Sequence, residues 1–212
     1  MSTNNTLEIR GGNVGGGIQV FTQAINVTMT GAKVALADLP TAGNSLLAGT
    51  PVLSDSYNHT ATVHYAFEVV NVAGAVLQLK KRQGSTTAKV GMFLMESTAD
   101  LATTGTAATI LSIDTSNEAY DIVTLSAALT GLAVGDTVYE ANQDGAGAVV
   151  KVIPNAITAY ETLVNSNTVH ATVAIGFNGD GEIFERRISP ITPAIRVALK
   201  ANDCFFRYTQ SR

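Results

Sequence analysis

The chain reads as a mainly β protein, a barrel or sandwich of short antiparallel strands, with one C-terminal helix and an extended N-terminal arm. Three observations predict this. The body alternates β-branched and apolar residues with polar ones over about ten short segments separated by turn residues. A single segment near the C-terminus carries helical capping and periodicity. The first 45 residues differ in composition from everything that follows.

The strands come first. Thr62–Val70, Ala75–Leu79, Lys89–Met95, Ala107–Ile113, Tyr120–Leu125, Asp136–Ala141, Val149–Ile153, Val169–Phe177 and Gly181–Arg187 are the body segments. Turns are expected at Gln83-Gly84-Ser85 and Asp144-Gly145. Asn178-Gly179-Asp180-Gly181 lies between two good strands and predicts a hairpin. Frequent turns between short strands favour a barrel or sandwich.

The helix is expected near 193–201. Thr192 is suited to cap it and Pro193 to its first position. Ile191, Ile195 and Leu199 form an apolar stripe, while Arg196 and Lys200 share another face near the favourable C-terminal end. Asn202 ends it, and Phe205–Tyr208 reads as a closing strand.

The arm is taken as residues 1–45 and the body as 46–212. The arm holds only four charges, Glu8, Arg10, Lys33 and Asp38, which cancel. Five glycines stand between Gly11 and Gly17, a run that costs much entropy to order and suits docking on a partner. Ile18, Val20, Phe21, Ile25 and Val27 fall in an alternating segment with little local sequence to pair with. They are expected to pair with, or pack on, another chain.

Composition narrows the function. Charged residues make up 14% of 212, with 46% hydrophobic and a mean hydropathy of +0.21; an ordinary soluble domain has roughly 25% charged residues. A surface of Thr, Ser, Asn, Gly and Ala is cheap to desolvate and suits broad subunit contacts. Net charge is −4, so the dense basic surface of a nucleic-acid binder is missing and no nucleic acid is expected. The longest apolar stretch, Val69–Leu79, is too short for a membrane span. The N-terminus lacks a basic start and an apolar run, so it does not read as a secretory signal. Cys204 is the lone cysteine; beside Phe205 and Phe206 it reads as a small buried apolar residue.

The sequence presents no catalytic constellation, cofactor motif or metal set. The glycine run has no Lys-Ser/Thr pair after it and no dinucleotide spacing. His59 and His64 are an odd number of residues apart, which in a strand means opposite faces; with His170, they read as surface or core histidines. Asp114, Glu118, Asp121, Glu140 and Glu161 include no pair singled out by spacing for glycan hydrolysis. Two basic clusters remain, Lys80-Lys81-Arg82 and Arg186-Arg187. Either they are solvated strand ends or they meet an acidic neighbouring subunit.

Several segments resemble head fibre and capsid-decoration proteins of tailed bacteriophages. They are Leu47–Val52, Ala75–Arg82 with Thr87–Gly91, Ile113–Asn117, Tyr120–Leu125, Leu132–Glu140, Ile153–Thr158 and Ile188–Lys200. The resemblance runs over about residues 46–209 and does not cover the arm. It implies a virion structural protein on the capsid exterior, made in the bacterial host cytoplasm and carrying no catalytic residues. Its expected partners are the major capsid protein, other virion proteins and its own copies, as a homotrimer first and a homodimer next. The arm is then read as the capsid-docking part. A compact chain without a long distal region favours decoration over an elongated fibre. The second reading is a host-surface or glycan-binding module displayed on the virion.

Overall fold

The computed structural model describes residues 20–21, 25–27, 31–168, 170–173 and 175–209. Its strands in chain order are β1 Ile25–Val27, β2 Ala32–Ala35, β3 Ser45–Leu46, β4 Pro51–Asp55, β5 Thr60–Val63, β6 Ala66–Ala73, β7 Val76–Lys80, β8 Phe93–Glu96 and β9 Gly105–Asp114. Then follow β10 Tyr120–Leu125, β11 Thr137–Ala141, β12 Gly145–Ala148, β13 Ala156–Thr158, β14 Thr162–Leu163, β15 His170–Val173, β16 Ile175–Phe184 and β17 Phe205–Thr209. One α-helix, α1, spans Pro193–Ala201. The predicted class is the observed one: mostly strand, with a helix near the C-terminus.

Six strands close into a barrel in the order β6-β7-β10-β9-β8-β11 and back to β6, every pair antiparallel. Closure leaves the ring no open edge, and β12 adds to the outside of β9. The second sheet is open. It runs β1-β16-β13-β4-β5-β2-β15, with β17 also on β16. Two of its pairs, β2 with β5 and β16 with β17, are parallel.

Alternation lets single strands face two apolar clusters. On β8, Leu94 joins the main cluster while Met95 joins a second one that includes Ile183, Ile188, Ile195 and Leu199. Val138 and Tyr139 on β11 divide the same way, as do Ala156 and Ile157 on β13. Strands buried on both faces read as near-continuous apolar runs.

The helix matches its prediction. Thr192 Oγ1 accepts from the Ile195 amide at 3.4 Å, Pro193 opens the helix, and Ile195 and Leu199 are buried. Cys204 is buried, and burial pushes its thiol up to about 12. At Gln83-Gly84, both residues have positive φ and the Ser85 amide donates to the Arg82 carbonyl at 3.0 Å. This is the tight turn expected there.

Three expectations need correction. Residues 178–181 do not form a hairpin turn: β16 continues through them. Its neighbours are β1 on one side and β13 and β17 on the other. The two flanking segments therefore have no free edge on which to pair with each other. A register shift between Asn178 and Glu182 absorbs the turn-prone residues. Val149–Ile153 is not a strand but makes a single bridge, Ala141 to Val150. The boundary at residue 45 falls inside the body. β2 pairs with both β5 and β15, and Val34 and Leu39 lie in the main cluster. The glycine run of the arm lies outside the described residues.

Candidate interaction surface

The alternating segment assigned to a foreign chain is committed to its own. Val20 is buried in the second cluster, and its carbonyl accepts from the Phe184 amide at 3.0 Å. Phe21 bridges to Ile183, and its ring lies 6.3 Å from Phe206. Ile25 and Val27 belong to β1, paired with Gly179 and Gly176 of β16. Their partner strand comes from about 150 residues further along the chain, beyond what local sequence indicates. Ile18 lies outside the described residues.

The Lys80-Lys81-Arg82 cluster splits in two. Lys80 and Arg82 both reach Glu68 on β6, Lys80 at 2.8 Å. Lys81 turns the other way. Its Nζ meets Asp121 at 3.2 Å and donates to the carbonyls of Thr115 and Asn117 at 2.8 and 2.6 Å. That pair is closed off, with the Lys81 and Asp121 side chains only 6% and 5% exposed. Burial raises the Asp121 carboxyl, while Thr86 and Lys81 pull it back down. A period of two would have separated Lys81 from its neighbours in the sequence itself.

The two basic clusters converge. Arg82 Nη1 donates to the Arg186 carbonyl at 2.9 Å, and Gln83 Nε2 to the Arg187 carbonyl at 2.8 Å. Between them opens a cleft of about 460 Å³, lined by Glu68, Lys80 and Arg82 from the barrel side and by Glu185, Arg186, Pro190 and Ile191. Glu185 is held by Arg196 of α1, and the Arg196 guanidinium stacks 4.5 Å from the Tyr208 ring. Arg187 lies 4.4 Å from the Phe184 ring. Arg186 is exposed, and among the described residues its guanidinium meets no carboxylate. Burial lowers the pKa of Arg82, with Glu68 opposing, and its Nε is buried with no partner among the described residues.

A second ionic group was not apparent from sequence. Lys151 binds Glu140 at 2.9 Å and Asp38 at 3.2 Å. Lys89 donates to the carbonyls of Ala37 and Leu39 and stands over the Tyr65 ring. The group fastens the turn after β2 to the barrel. Burial raises the Glu140 carboxyl against the pull of Lys151. Of the acids weighed for hydrolysis, Asp121 and Glu140 are thus each bound to a lysine. Among the described residues no three metal-ligating side chains cluster.

The histidines divide. His59 is exposed, with a φ of 52° at the β4–β5 turn. His64 is buried at the junction of β5 and β6, and its Nδ1 donates to the Val152 carbonyl at 2.6 Å. Burial lowers its pKa to about 4, so it is neutral. His170 lies on β15, paired with Ala35. Comparisons with protein-family models, curated proteins and solved structures find no match.

Proposed function

We propose that the protein is a structural component of a tailed-phage virion, a head fibre or capsid-decoration protein. It attaches to the major capsid protein on the capsid exterior and associates with its own copies, as a trimer or, next, a dimer. It catalyses no reaction. The observation that carries the reading is the convergence of two features on one part of the body. The Val20 carbonyl is bonded to the Phe184 amide, one residue before Glu185 and two before Arg186. Val20, three residues after the glycine-rich run in the sequence, therefore stands beside the cationic cleft. The rest of the surface has few charges, as assembly contacts favour, and the residue patterns over 46–209 resemble that family.

The test is a pair of truncations. Deletion of residues 1–19 leaves β1 and Val20 in place, so the chain should fold with an unchanged melting temperature and fail to enter virions. Deletion of residues 1–30 removes structural residues and should destabilise the second sheet. A 1–19 deletion that enters particles at wild-type stoichiometry would end the proposal.

One observation favours the second reading, a glycan- or host-surface module. Tyr57 is 90% exposed at the β4–β5 tip. Asp55 Oδ1 holds that tip by accepting from the Tyr57 and Asn58 amides at 2.9 and 3.1 Å. An exposed aromatic ring on a held turn suits stacking on a sugar. Glycan-array binding lost in Tyr57→Ala would support it.

A further inference from the structure

We infer that the cleft between β7 and the Glu185–Arg187 turn is a docking site for an extended acidic segment of a foreign protein chain. The inference rests on the reading of the protein as one that assembles with other chains, and on the arm as its capsid-facing side.

Charge comes first. Around the cleft stand Lys80, Arg82 and Arg186, with Arg196 on Glu185, against Glu68 and Glu185. Four cations minus two anions gives +2, on a chain whose net charge is −4. The remainder is then −6, so this patch is a local reversal of sign. The internal pairing is also uneven. Glu68 serves both Lys80 and Arg82, and Glu185 is taken by Arg196. Arg186 is left over, exposed at the rim.

Geometry supplies the rest. The Arg186 carbonyl is pinned by Arg82, and Gln83 pins Arg187, so the backbone carrying the free guanidinium is fixed in place. Guanidinium groups bind carboxylates in a planar, two-pronged fashion. Pro190 and Ile191 add an apolar wall to the cleft, which fits a strand alternating acidic and apolar side chains. Polyphosphate backbones fit less well, because they carry no apolar side chains to set against the Pro190–Ile191 wall. The capsid-side chain is favoured over a second copy because the arm joins the body at Val20, next to this turn.

The test uses the full-length protein and three fluorescent probes: an alternating Glu–Leu octapeptide, a Lys–Leu octapeptide and a single-stranded oligonucleotide of equal charge to the first. Anisotropy should show binding of the Glu–Leu peptide alone, weakening as salt rises. Arg186→Glu should weaken it by about tenfold or more, with unchanged melting and unchanged solution mass. Lys33→Glu makes the same charge change at an exposed site on β2 and should leave binding as it was. The inference is overturned by any of three results: no binding by the wild type, equal binding by Arg186→Glu, or preference for the oligonucleotide. It is also overturned if Arg186→Glu lowers the solution mass, since the occupant would then be a second copy. Peptide failure alongside the expected 1–19 deletion phenotype removes this inference and leaves the proposed function standing.

Discussion

The barrel and the open sheet are built by opposite strategies. All six barrel strands come from one stretch, residues 66–141, and every pair is antiparallel. The open sheet takes β1, β2, β4 and β5 from before that stretch and β13, β15, β16 and β17 from after it. Pairings such as Ala156 with Val52 and Ile25 with Gly179 span over a hundred residues. Such pairings must overcome a larger loop-closure entropy before any contact forms. The barrel is thus the locally specified half, and the sheet depends on holding both ends of the chain together.

This contrast can be tested by substitutions that strike one half at a time. The largest effect is expected in the barrel, where Asp121→Ala removes the ion-pair partner of the buried Lys81 ammonium and leaves it the Thr115 and Asn117 carbonyls. Removing one member of a buried pair costs about 3–5 kcal/mol, and amide exchange should rise first around β7 and β10. If the open sheet exchanged first instead, the barrel would not be the independent unit. Next comes acid. His64, where the chain passes from sheet to barrel, is neutral in the fold with a pKa of about 4, below its ordinary 6.5. The unfolded chain therefore binds the proton more readily, and stability is lost as pH falls from 6.5 towards 4. Urea midpoints should show about 3 kcal/mol lost between pH 7 and pH 4 from this group, a slope that His64→Gln should flatten.

Two smaller effects belong to the sheet side. Gly49 has a φ of +76°, and a Cβ there would stand 2.5 Å from Ile188 Cγ2 and 3.2 Å from Val20 Cγ1. Gly49→Ala should cost about 1–3 kcal/mol, seen as a lower melting temperature with barrel amides still protected. Thr192→Ala removes the cap of α1 together with the hydroxyl bonded to Tyr139 of β11 and should cost about 1–2 kcal/mol, read as fraying of residues 193–196 in exchange experiments. Equal loss of protection in barrel and sheet for either variant would show that the two halves melt as one.

The same contrast explains what could be read from the residues. Tyr120–Leu125 was expected as a strand and is β10 to the residue, because its alternation is complete and its partners are near in sequence. The helix was legible from Thr192-Pro193 and the Ile195–Leu199 spacing, both local signals. Asn178–Gly181 misled because turn chemistry is local, whereas two distant strands hold that segment straight. The two-residue strands β3 and β14 are too short to carry a period. The basic clusters were visible as residue types. Their meeting was not, since it depends on the return of residues 185–187 to the end of β7.

β16 carries one further consequence. Ile183 pairs with Phe21 on one side and with Tyr208 on the other. With neighbouring strands about 4.8 Å apart, residues 21 and 208 lie on the order of 10 Å from each other. A short glycine–serine tether from residue 209 to residue 20 should therefore close the chain into a circle. New ends could then be opened at the exposed Tyr57 tip, giving a permuted scaffold that presents fused cargo from the hairpin.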